Sequence, residues 1–112
     1  MYNQSMESEK LGNILHHLRT GLVELLGDRL EAVYLYGSQA RGDARPDSDI
    51  DVLIVLRGEF DYFQTLDQIS ELAWKLSLEN DVVIAQVLVS KENYLQGDTP
   101  FLMTVHREAV LI

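Results

Sequence analysis

Two apolar runs face each other across a polar loop in the segment Tyr34 to Leu56, YLYGSQARGDARPDSDIDVLIVL, and this segment constrains the chain more than any other. The first run, Ala32 to Tyr36, stops at Gly37-Ser38, and the second opens with Asp49-Ile50-Asp51 and continues as Val-Leu-Ile-Val-Leu. Short apolar runs bounded by turn residues read as strands, here over residues 31–36 and 49–56. In a strand, residues i and i+2 share a face, so Asp49 and Asp51 project side by side with Ile50 opposite. Two like charges at the mouth of an apolar strand repel each other and resist burial. A divalent cation relieves both problems, and Mg²⁺ typically sits on one or two carboxylates plus substrate phosphates.

The loop carries residues suited to a phosphate. Gly37 lets backbone approach a ligand closely. Ser38 is placed to cap the short turn Gln39-Ala40-Arg41, whose free N–H groups would face an anion. Arg41 offers a forked cation. Plainer readings stand beside these. Asp49 and Asp51 would be solvated acids at a strand start, Ser38 a cap alone, and Arg41 the partner of Asp43 or Asp47 in a surface ion pair.

Gly37-Ser38, ten intervening residues and then Asp49-x-Asp51 resembles the signature of the nucleotidyltransferase superfamily that includes DNA polymerase beta and kanamycin nucleotidyltransferase. The local form, GSQARG followed by SDIDVLIVL, is similar to its small prokaryotic branch, the minimal nucleotidyltransferases, which includes antitoxins paired with HEPN-domain toxins. The motif covers about a fifth of the chain, with each part at the expected end of an apolar run. The resemblance implies a third carboxylate on the strand after the long helix. Asp81 is the acid at that strand's start, although an Asp there is also an ordinary turn residue. Asp49, Asp51 and Asp81 would then hold two Mg²⁺ ions, while Gly37, Ser38 and Arg41 receive the phosphates of ATP. By the same analogy Asp81 helps deprotonate the acceptor hydroxyl. The branch's antitoxins transfer AMP from ATP to a tyrosine of the cognate toxin, which is the activity the resemblance implies here.

The remaining sequence orders the elements. Leu11, Leu15, Leu18, Leu22 and Leu25, widened by Ile14 and Leu26, predict an amphipathic helix over residues 7–26 that stops at Gly27. His16 and His17 on it read as solvated. Asp61 and Gln64 form a helix-opening pattern, and Phe63, Leu66, Ile69, Leu72, Ala73 and Leu76 continue a long helix to Glu79-Asn80. Trp74 borders that stripe and reads as core or edge packing. The segment Asp81 to Val89 is nearly continuous apolar sequence, which predicts a strand buried on both faces. Ser90 caps a short turn, and Thr99-Pro100 opens a helix to about His106, followed by a short strand over residues 109–112. Phe101, His106, Arg107 and Glu108 carry no signal. The expected fold is α+β, with helices packed on a small mixed sheet, and the resemblance implies the same nucleotidyltransferase fold. Pattern alone leaves the strand order open.

Length and charge bound the function. At 112 residues, with 46% hydrophobic and 24% charged residues, the chain reads as a single soluble domain over residues 1–112. That is room for a catalytic core, so an acceptor binds on an open face or a partner completes the site. A formal net charge of −9 argues against a nucleic-acid substrate and suits a basic protein partner. With no cysteine there is no disulfide or thiolate site. No apolar run reaches the roughly 18 residues of a membrane span, and the polar start MYNQSMESEK is unlike a signal peptide, so the cytoplasm is the expected compartment. Two classes of function follow: an enzyme that adenylylates a partner protein, or an antitoxin-like scaffold that neutralises a partner by occlusion. Clustered unpaired acids favour the enzyme, because a scaffold has no use for them.

Overall fold

The structure, a computed structural model, describes the backbone of residues 4–112 and the side chains from Ser8 onward. The extreme N-terminus, part of the polar start noted above, lies outside the described residues. The elements run in the order α1 (Gln4–Leu26), a 3₁₀ turn (Gly27–Arg29), β1 (Leu30–Tyr36), α2 (Ser38–Arg41), β2 (Ile50–Leu56), α3 (Tyr62–Asn80), β3 (Ile84–Ser90), α4 (Lys91–Gln96), α5 (Pro100–Glu108) and β4 (Val110–Leu111). The expected caps form. Asp61 accepts from the Gln64 amide, Ser90 from the Asn93 amide and Thr99 from the Leu102 amide, each removing an orphan donor from a helix start.

The sheet is mixed, in the order β3-β2-β1-β4. β1 lies antiparallel to both β2 and β4, while β2 and β3 are parallel and joined by the α3 crossover that parallel pairing requires. β2 is central, and every residue from Ile50 to Leu56 is buried except Asp51. One sheet face, with Val33, Leu35, Ile50, Val52 and Ile54, packs against Ile14, Leu18 and Leu22 of α1 and Ile69, Ala73 and Leu76 of α3. The other face, with Leu53, Val55, Tyr34 and Tyr36, packs against Leu102 and Val105 of α5. Asp51 shares this second face with Leu53 and Val55, so it points toward α5 and away from α3.

Four expectations change. β3 starts at Ile84 and not at Asp81, because Asp81 terminates α3 in a left-handed conformation (φ 53°, ψ 50°) with its amide bonded to the Ser77 carbonyl. β3 is an edge strand and is only half-buried, and the fully buried strand is β2. Leu25 and Phe63 are exposed although they fall on the predicted stripes, and Thr65 is buried in α3. Trp74 is 67% exposed and so is not core packing. No helix among the described residues is long and apolar enough to cross a membrane.

Candidate active site

The β1–β2 register builds the site. It pairs Tyr36, the last residue of β1, with Asp51, the second of β2, so both ends of the loop meet at one edge of the sheet. Gly37 follows with φ 75° and ψ −156°, a conformation that a side chain strongly disfavours. It turns the chain into α2, where the Ala40 and Arg41 amides bond to the Gly37 carbonyl at 3.1 and 3.0 Å. Among the described residues nothing accepts from the Ser38 and Gln39 amides. The capping position is held by Gly37, and no side chain caps the turn. Ser38 therefore does not cap, contrary to expectation: it is the first residue inside the turn, and its hydroxyl makes no hydrogen bond among the described residues.

Asp49 stands just before β2 and is exposed, whereas Asp51 is half-buried. The Asp51 carboxylate lies directly against the Cα of Gly37, where a methyl group would overlap Oδ2 and meet Cγ at 3.3 Å. Burial first, and then the neighbouring charge of Asp49, push the Asp51 carboxyl above the ordinary aspartate range, and Glu108 adds to this while Arg41 opposes it. The pair is thus short of positive charge. Tyr36 is also pushed up, by burial and by the Asp51 charge, so its phenol stays protonated beside the pair. The ring of Phe101 meets Tyr36 edge-on at 5.5 Å.

Arg41 has partners of both expected and unexpected kinds. Its Nε donates to Asp43 Oδ2 at 3.1 Å, the ion pair foreseen as the plainer reading; Asp47 is not involved. Its Nη1 donates to both oxygens of Glu108 at 3.3 Å. The Gly37 amide also donates to Glu108 Oε1, at 3.1 Å. Both carboxylates hold the guanidinium in its charged form, Asp43 more strongly than Glu108. Glu108 is the site residue that sequence reasoning missed. It lies 67 residues beyond Arg41, at the last position of α5, and reaches the turn because β4 pairs with β1 next door. The only sequence signal is an acid immediately before a short apolar terminal run.

Gly37, Ser38, Arg41, Asp49 and Asp51 come together; Asp81 does not join them. Its backbone ends α3, which covers the sheet face opposite Asp51, and Asp81 is exposed beside Trp74, Ser77 and Val83 around a separate hollow of about 440 Å³. The β3 residue beside Asp51 is Ala85. Among the described residues no three His, Cys, Asp or Glu side chains group to hold a metal ion. The Asp49–Asp51 pair still fits Mg²⁺ shared with phosphate oxygens, because that ion keeps few protein ligands and, among the described residues, no cation forms an ion pair with either acid.

The sequence model of the family described as "Nucleotidyltransferase domain" matches residues 15–107. The Methanocaldococcus jannaschii protein named "Putative protein adenylyltransferase MJ0141" is 33% identical over 78 residues, which span 70% of this chain and 78% of that one. The crystal structure of a "putative nucleotidyltransferase" from Sulfolobus solfataricus superposes with a TM-score of 0.55 over 91% of this chain and 84% of its own, at 23% identity. A chain from the complex of the tri-AMPylated Shewanella oneidensis HEPN toxin with its MNT antitoxin superposes with a TM-score of 0.51 over 93% of this chain and 69% of its own, at 20% identity. At these identities the two solved structures speak for the fold.

Proposed function

The chain belongs to the nucleotidyltransferase domain family and is a nucleotidyltransferase, and on that premise we propose that it uses Mg²⁺ and ATP to transfer AMP to a tyrosine hydroxyl of a HEPN-domain toxin, acting as its antitoxin. The observation that carries the proposal is the Tyr36–Asp51 register, which sets the Gly37–Arg41 turn against a carboxylate pair short of positive charge. In the reaction the tyrosine oxygen bonds to the α-phosphorus. The bond from that phosphorus to the bridging oxygen of the β-phosphate breaks, pyrophosphate leaves with the electron pair, and the hydroxyl proton is released to solvent. Mg²⁺ on Asp49 and Asp51 would neutralise phosphate charge. The Ser38 hydroxyl, the Ser38 and Gln39 amides and Arg41 bind and orient the phosphates as pre-placed donors. Asp49 and Asp51 suffice for the reading; Asp81 has no part in it.

A γ-phosphoryl transfer of the P-loop type is disfavoured, because Gly37-Ser38 is followed by Gln39-Ala40-Arg41 and not by a glycine-rich loop ending in Gly-Lys-Ser/Thr. A protein acceptor is supported by the net charge of −9, which is a poor host for a nucleic-acid strand and a good one for a basic protein surface. The partner class is supported by the fold shared with the Shewanella oneidensis complex, and the nucleotide by the relative's name. The test is to incubate the chain and a co-encoded HEPN protein with Mg²⁺ and ATP labelled at the α or the γ phosphate. The proposal expects label in the partner from the α position alone, pyrophosphate in solution, and no transfer by Asp49→Asn or Asp51→Asn. Label from the γ position refutes the reaction class. Tight partner binding with no label from either position would favour occlusion by a scaffold.

A further inference from the structure

Arg41 is held on two of its three nitrogens. Asp43 takes Nε and Glu108 takes Nη1, which leaves Nη2 without an acceptor among the described residues. The two holders differ in solvent access. The Glu108 side chain is 19% exposed, whereas that of Asp43 is 61% exposed, so water screens the Asp43 pair far more. Glu108 alone also accepts from the backbone of the turn, at the Gly37 amide. One carboxylate thus ties the end of α5 both to the residue that turns the chain into α2 and to the residue that ends α2.

We infer that Glu108 is a positioning residue for the triphosphate: it fixes the Gly37 amide and Nη1 of the Arg41 guanidinium, so that Nη2 and the Ser38 hydroxyl are presented to phosphate oxygens. It does so through Arg41 and the turn and does not touch the nucleotide. A carboxylate is the group for this task, because it accepts from two donors at once and fixes the plane of a guanidinium. An amide in its place offers one oxygen and no charge. Holding the donors in place before the ligand arrives removes an ordering cost from binding, which is why the effect falls on affinity. Glu108 has this role only if the Gly37–Arg41 turn receives the phosphates, as proposed above. The same contacts would suit the opposite device, a carboxylate that occupies phosphate donors and must be expelled. The two differ in sign: a brace lost weakens binding, while a blocker lost tightens it.

The experiment is calorimetric titration of the full chain with Mg-ATP and with Mg-pyrophosphate, comparing wild type, Glu108→Gln, Glu108→Asp, Asp43→Asn, Arg41→Ala and the Arg41→Ala/Glu108→Gln double variant. Glu108→Gln should weaken both ligands by about tenfold, the low end of what losing a hydrogen bond to a charged group costs. Asp43→Asn should change either by less than about twofold, as an exposed pair does. The double variant should bind more weakly than Arg41→Ala alone by clearly less than the loss Glu108→Gln causes in the wild-type background, because without Arg41 only the Gly37 amide is left for Glu108 to hold; a role independent of Arg41 would instead add its full loss to that of Arg41→Ala. Glu108→Asp keeps the charge but is one methylene shorter, and should also weaken binding, which covers the case of a Gln variant that folds poorly. Glu108 variants that bind as well as wild type, or more tightly, overturn the inference while leaving the proposed function standing. A wild-type chain that binds neither ligand overturns both.

Discussion

Replacing Gly37 by alanine tests the site at its tightest point. The backbone there sits at φ 75°, ψ −156°, so any Cβ is strained before it meets a neighbour. The added methyl would also overlap Oδ2 of Asp51 and meet its Cγ at 3.3 Å. Asp51 is held in the central strand opposite Tyr36, so its carboxylate must swing away or the turn must shift. Strain of about 1–3 kcal/mol and overpacking of about 1–3 kcal/mol, less about 0.4–1 kcal/mol from a stiffer unfolded chain, give a net loss of about 1–5 kcal/mol. That is a large fraction of the roughly 5–15 kcal/mol that holds a domain together. Urea denaturation followed by far-UV circular dichroism should show a lower midpoint at unchanged slope. The Gly37→Ala/Asp51→Ala double variant isolates the steric part. Removing the carboxylate should restore about 1 kcal/mol or more relative to additivity. A Gly37→Ala chain within about 0.5 kcal/mol of wild type, or strictly additive single variants, would refute the placement of the Asp51 carboxylate against the turn.

Asp51→Asn should stabilise the ligand-free chain, because it removes a charge that burial and Asp49 both oppose. The folded pKa of Asp51 lies above its unfolded value, so the folded state binds more protons and this group's contribution to stability falls as pH rises through that window. The stability gap between Asp51→Asn and wild type should therefore be widest near neutral pH and close as pH falls toward 4, measured by urea midpoints across that range; a gap that grows on acidification would contradict the assignment. Asp81→Gly should raise stability by up to about 1 kcal/mol, since glycine accepts the left-handed position at the end of α3 without a Cβ penalty. In the labelled-ATP assay the same variant should keep transfer at the wild-type level; a steep loss there would return Asp81 to the chemistry.

What the sequence made legible is what adjacent residues decide. The alternation Asp49-Ile50-Asp51 predicts two acids side by side at the mouth of one strand, and the structure sets Asp51 in β2 with Asp49 just before it. Thr99-Pro100 and Asp61 announce helix starts through bonds that span three residues. Strand order, in contrast, depends on which edges meet, and nothing local in the Val110–Leu111 pair says that it lies beside β1. Glu108 is hidden for that reason: its importance comes from a partner 67 residues away. Phe63 falls on the apolar stripe and is exposed, and Trp74 beside the stripe is not core, because such a stripe shows which residues are apolar and not how wide a face the sheet covers.

Asp81 shows the same division more sharply. Asn80-Asp81 after an amphipathic run is equally a helix stop and a strand start, and composition cannot choose between them. The choice is made by α3. The Ser77 carbonyl accepts from the amides of both Asp81 and Val82, closing the helix with a left-handed residue. The strand can begin only after that closure, and the Ile50 amide bonds to the Val83 carbonyl just before the β2–β3 ladder starts at Ile84. The three-residue delay carries Asp81 out of the sheet and onto the α3 side, and it leaves Ala85 beside Asp51. An acid at position 81 and an acid at position 85 would read alike in a count of carboxylates near a strand. Only the second would stand next to Asp51, so the registers of β1 and β3 against β2 decide which carboxylates this site gathers.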